Sequence, residues 1–80
     1  MIEQRQLERL KWRSRRGLLE LDIVLERFWA REGAKLTHDE ARVLEALLLM
    51  PDNDLLDLVM GRARPPAGEA GDMVMKIRAA

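Results

Sequence analysis

Eighty residues without a cysteine make one domain near the lower size limit for an unstapled core, and exclude disulfides and thiolate metal sites. Fourteen basic groups balance fourteen acidic ones and 48% of the residues are hydrophobic, a globular balance with no apolar run near the ~18 residues that span a bilayer. The charge is unevenly spread: residues 1–17 carry six basic against two acidic groups (+4), residues 18–60 four against ten (−6), and residues 61–80 four against two (+2). Such a molecule can orient on a partner without being a general polyanion binder.

Leu, Ala, Glu, Arg and Met dominate, β-branched residues are scarce, and no alternating or hairpin pattern occurs. The expectation is an all-α, compact five-helix bundle, a single domain over residues 1–80. A first helix is predicted over about residues 3–13, with Leu7 and Leu10 inward and Trp12 near its end. The Arg-rich start has the look of a transit peptide, but Glu3 and Glu8 interrupt it and Ser14 is its one serine. It reads instead as part of the fold of a cytoplasmic chain. A second helix, about 17–31, repeats Leu18, Leu21, Leu25 and Phe28 at helical spacing, flanked by Val24 and Trp29. Gly33 suits a left-handed cap.

Thr37 followed by Glu40 spells a capping box, which starts a third helix near His38. That helix turns Val43, Leu44, Leu47 and Leu48 inward and stops at Pro51. Asp52 is placed to cap a short fourth helix through Leu55, Leu56, Leu58 and Val59, ending at Gly61. After the turn-rich connector RARPPAGEAG, a last helix over about 69–78 offers Met73, Val74 and Ile77.

Catalytic chemistry is poorly supplied. The chain has one serine, one threonine, no tyrosine and one histidine. Thr37 is committed to capping, and His38 lies at a helix start beside Asp39 and Glu40. Neither an activated nucleophile nor a transition-metal set follows. No phosphate-cradling glycine loop is present. A DNA-binding helix-turn-helix over residues 38–60 would put Asp52, Asn53, Asp54 and Asp57 against phosphates, which disfavours it. The expected class is therefore a non-enzyme that works through protein contacts and carries no metal or cofactor of its own.

The unusual stretch is RRGLLELD, residues 15–22. Gly17 costs a helix roughly 1 kcal/mol against alanine, and it stands among Arg15, Arg16, Glu20 and Asp22. Arg16 and Glu20, four apart, are able to pair along a helix flank, with Arg16 and Asp22 reaching outward. Gly17 then either admits a foreign backbone between them or permits a bend between two helices. The first reading expects Gly17→Ala to preserve or raise stability.

Arg16-Gly17-Leu18-Leu19-Glu20 matches the RGxxE signature of the SdhE (formerly YgfY) family of succinate dehydrogenase assembly factors, bacterial relatives of the mitochondrial flavinylation factor. The resemblance extends over RLKWRSRRGLLELD, Phe28, LTHDE, PDNDLLDLVMG, a proline-containing turn and a short terminal helix. The tail departs from it, ending soon after the last helix where some members extend. The resemblance implies a five-helix fold and promotion of covalent FAD attachment to the flavoprotein subunit of succinate dehydrogenase, with fumarate reductase as a further client. The flavin bond forms to a histidine of that client, so FAD belongs to the client and touches the helper only in passing. By position, Arg16, Gly17 and Glu20 match the contact signature, with Arg9, Trp12 and Asp22 beside it; Trp12 serves equally as core. The expected state is a monomer that neither enters a membrane nor binds nucleic acid. A generic interaction module, such as an antitoxin-type regulator, is the alternative.

Overall fold

Helix formers punctuated by proline, glycine and one polar capping box give five α-helices in the computed structural model, which describes residues 3–80. These are α1 (Gln4–Arg13), α2 (Leu19–Glu32), α3 (His38–Leu48), α4 (Asp52–Val59) and α5 (Glu69–Ala79), with a 3₁₀ turn, Gly33–Lys35, directly after α2. No strand occurs among the described residues. The all-α, five-helix expectation therefore holds, and its departures are instructive.

Helix α2 starts at Leu19 rather than at Gly17, because Gly17 has φ +80° and Leu18 is extended at φ −105°. Gly33 is not a left-handed cap. Its φ is −56°, and a Cβ there would sit 3.1 Å from the Trp29 ring, so its bareness admits the indole against the backbone. Asp52 does not cap α4 either. Pro51 occupies the cap position without a side-chain bond, and the Asp52 carboxylate is engaged by Arg16. The Thr37–Glu40 box forms as expected, with the Glu40 amide donating to Thr37 Oγ1 and the Thr37 amide to Glu40 Oε1, each at 3.1 Å.

The apolar stripes meet in one core. Leu21, Leu25 and Phe28 of α2 pack with Leu44 of α3, Leu55 of α4 and Val74 of α5, all essentially inaccessible. Each such side chain contributes about 1.5–3 kcal/mol by leaving water. Helix α2 lies against α4 and α5, α3 against α5, and α1 against α3. Helix α1 is the least embedded: Leu10 is its one fully buried residue, and Leu7, expected inward, is only half-buried, as is Val43 of α3.

Helix ends leave carbonyls without intrahelical partners. Here arginines from elsewhere in the chain reach three of those ends. Arg16 donates to the carbonyl of Leu48, the last residue of α3, and to that of Met50 just beyond it, Arg78 to the Leu58 carbonyl of α4, and Arg31 to the Ala79 carbonyl of α5. A cation there also meets the negative end of the helix dipole.

Candidate functional site

The corner between α1 and α2 is assembled from bonds both local and distant in the chain. The chain leaves α1 through Ser14, whose buried hydroxyl donates to the Leu10 carbonyl at 2.9 Å and accepts from Trp29 Nε1 at 2.8 Å. A buried hydroxyl needs such partners, and these two tie the last turn of α1 to α2. Across the other flank of α1, Arg13 lies 3.8 Å from Glu45 of α3.

Arg16 turns inward. Its Nε donates to Asp52 Oδ1 at 2.7 Å, Nη2 to the Met50 carbonyl at 2.5 Å, and Nη1 to the Leu48 carbonyl and, at 3.4 Å, to that of Arg13. The side chain is only 13% exposed. The planar guanidinium suits this task, since its donors fan out to several acceptors at once, as an ammonium could not. The expected Arg16–Glu20 pair is absent for a plain reason. With Gly17 out of the helix, the two residues no longer sit one turn apart on a helix face.

The Asp22 carboxylate is also used internally, so it does not reach outward. Oδ1 accepts from the Arg16 amide at 2.8 Å and Oδ2 from the Gly17 amide at 3.2 Å. This carboxylate, in the first turn of α2, holds the loop that precedes it and complements the helix dipole. It also occupies the amides that a glycine loop would need in order to cradle a phosphate. Gly17 itself is exposed at φ +80°, and a Cβ there would touch nothing within 4 Å. An open groove of about 660 Å³ adjoins it, walled by Lys11, Ser14, Arg15, Asp22 and Trp29 among others, with Lys11 Nζ 5.8 Å from the Trp29 ring centre.

The sequence-predicted site residues thus divide into two groups. Arg16 and Asp22 are structural ties, whereas Gly17, Glu20, Arg9 and Trp12 face solvent. Trp12 is 73% exposed and is no part of the core. Sequence reasoning missed Ser14 and the role of Asp52. The signal for Asp52 was its position after Pro51, which marks it as a helix-start carboxylate; nothing local points it at Arg16.

The family model for flavinators of succinate dehydrogenase matches residues 8–80 of the chain. The chain belongs to that family. A protein named FAD assembly factor SdhE from Ralstonia nicotianae is 51% identical over 57 residues, 71% of this chain and 60% of that protein. Its namesake from Coxiella burnetii is 38% identical over 71 residues, 89% of this chain and 87% of that protein, and one from Legionella pneumophila is 39% identical over 64 residues, 80% and 81% respectively. The matched stretch is therefore under two thirds of the Ralstonia protein and most of the other two. No solved structure matches the chain. The relatives' printed name agrees with the assembly-factor function inferred from the sequence, and no helix among the described residues is long and apolar enough to cross a membrane.

Proposed function

We propose that the protein promotes covalent attachment of FAD to the flavoprotein subunit of succinate dehydrogenase by binding that subunit, and that it performs no bond chemistry itself. FAD is held by the client, and the bond to the client's histidine forms in the client's own active site. The helper has only to bind one client conformation better than the others, which shifts the client's population toward it. Fumarate reductase flavoprotein is a second client of the same kind. The protein acts in the cytoplasm as a monomer.

One observation carries the assignment of the surface. The Arg16–Glu20 segment presents Gly17 and Glu20 to solvent on a loop whose backbone and side chains are fixed from behind, by Asp22 on the Arg16 and Gly17 amides and by the Arg16 guanidinium on α3 and α4. A surface held in advance loses little freedom on binding. Gly17, Glu20, Arg9 and Trp12 make the contact, and Arg16 and Asp22 hold it in shape. The test is deletion of the gene followed by ultraviolet fluorescence of covalent flavin on the client subunit in a denaturing gel. Restoration by the wild-type gene and failure of Gly17→Arg, with its helical signal retained, is the expected outcome. Full client flavin in the deletion strain would refute the reading.

A further inference from the structure

Six large hydrophobic residues are markedly exposed among the described residues: Trp12, Leu19, Ile23, Leu49, Met60 and Met75. They are not scattered evenly. Leu49, 75% exposed, lies between the Leu48 and Met50 carbonyls that the Arg16 guanidinium binds, so one side chain fixes the backbone on either side of it. Leu19, 72% exposed, opens α2 three residues after Arg16, and Trp12, 73% exposed, lies in the last turn of α1 four residues before it. The three most exposed apolar residues thus each stand next to Arg16, Trp12 and Leu19 within four residues of it in the chain and Leu49 between the two carbonyls its guanidinium binds. Single exposed leucines are ordinary, but an apolar cluster on a rigid support is a mark of an interaction surface.

We infer that Leu19 and Leu49, with Trp12, form an apolar contact face which extends the docking surface from the Arg16–Glu20 loop across to the end of α3. Its occupant is a segment of the client flavoprotein that presents apolar side chains flanked by carboxylates. The charge requirement comes from α1. Arg9 and Arg15, three residues to either side of Trp12, are exposed and enter no ion pair among the described residues. Cations around an apolar centre steer an acidic-rimmed partner and reject a basic one. The apolar centre itself supplies the affinity, since a few desolvated large side chains dominate protein contacts while rim charges contribute little. This inference rests on the proposed function, because it takes the flavoprotein subunit as the partner.

The test measures binding of the purified full chain to the flavoprotein subunit of succinate dehydrogenase from the same organism, alongside covalent flavin on that subunit. Leu49→Ser, Leu19→Ser and Trp12→Ala are compared with Met60→Ser and Met75→Ser, exposed residues at the far end of α4 and on α5. The expected result is binding weakened roughly tenfold or more by each of the first three, no change for the two methionine variants, and unchanged thermal melting throughout. Arg9→Glu with Arg15→Glu should weaken binding further and reduce its salt dependence. If Gly17→Arg abolishes binding but the Leu19 and Leu49 variants bind like wild type, the apolar face is wrong while the proposed function stands. Equal losses in the methionine variants would overturn it as well. If sedimentation shows a dimer that these variants dissolve without altering client affinity, the face is a self-contact and the inference fails. A wild-type chain that binds no flavoprotein subunit overturns both readings.

Discussion

At the start of α4, Arg16 donates to the carbonyls of Leu48 and Met50 and to the Asp52 carboxylate; at its end, Arg78 donates to the carbonyls of Leu58, at 2.8 Å, and Ala63, at 3.2 Å. The device is the same, a guanidinium gathering backbone oxygens left free where a helix ends, α3 for Arg16 and α4 for Arg78. The settings differ. Arg78 projects from α5, whose backbone is fixed by its own helical bonds, and no carboxylate pairs with it among the described residues. Arg16 projects from an irregular loop that depends on Asp22 and on the positive φ of Gly17. One arginine therefore fastens the fold alone. The other fastens the fold and the exposed loop together, so its loss should damage function beyond its cost in stability.

The comparison breaks most visibly at Arg16. Arg16→Ala leaves Asp52 without its partner and several carbonyls without donors, and should cost about 3 kcal/mol. Urea unfolding gives the stability, and client flavin should fall even where the variant remains folded. Arg78→Ala loses two carbonyl bonds and strands no carboxylate, so about 2 kcal/mol is expected. Its folded fraction should still support flavin attachment. Equal functional loss in two variants matched for stability would erase the distinction between the two clamps.

Gly17→Ala sharpens the contrast, because only the Arg16 corner relies on a left-handed residue. Space is not limiting there, so the cost is conformational, about 1–2 kcal/mol. This reverses the expectation that alanine would preserve or raise stability, and Gly17→Asn should be milder. A denaturation midpoint for Gly17→Ala at or above wild type would contradict the observed φ.

A third polar tie, between α3 and α5, supplies the lower end of the scale. Thr37→Ala removes one half of the capping box and should cost about 1 kcal/mol with flavin attachment intact. Lys76 of α5 donates to the second oxygen of Glu40. That bond, aided by Thr37 and opposed by burial, holds the Glu40 carboxyl below its ordinary value, and the same bond raises Lys76. The Glu40 contribution to stability is thus present above the ordinary carboxylate value and is lost as pH falls through the lowered one. The Lys76 contribution is present below the ordinary amine value and is lost as pH rises through the raised one. Both side chains are partly in water, 26% and 46% exposed, so the effect is the smallest of the set. Unfolding midpoints across the acid range should fall less steeply for Lys76→Gln than for wild type; parallel curves would show the pair to be inert.

The five helices, the inward stripes and the Thr37–Glu40 cap were legible in the sequence because each is a local signal, read within one or two turns of its own residue. The density of charge about Gly17 was legible too, as was the family. The direction of those charges was not. Arg16 is four residues from Glu20 and thirty-six from Asp52, yet it binds the second. Short-range spacing favoured the near partner on the assumption that the helix continued through Gly17. A single positive φ removed that geometry, and packing of α1 on α3 brought the far carbonyls within reach. Trp12 shows the same boundary. Its helical position left core and surface equally open, and only the lie of α1, with Leu10 turned in and Arg13 beside Glu45, put the indole in solvent. The sequence by itself determined which segments are helical, because apolar spacing and hydrogen bonds between near neighbours decide that. Tertiary structure alone decided that the Arg16 side chain turns inward to α3 and α4 rather than toward Glu20, because that depends on contacts more than thirty residues apart in the chain.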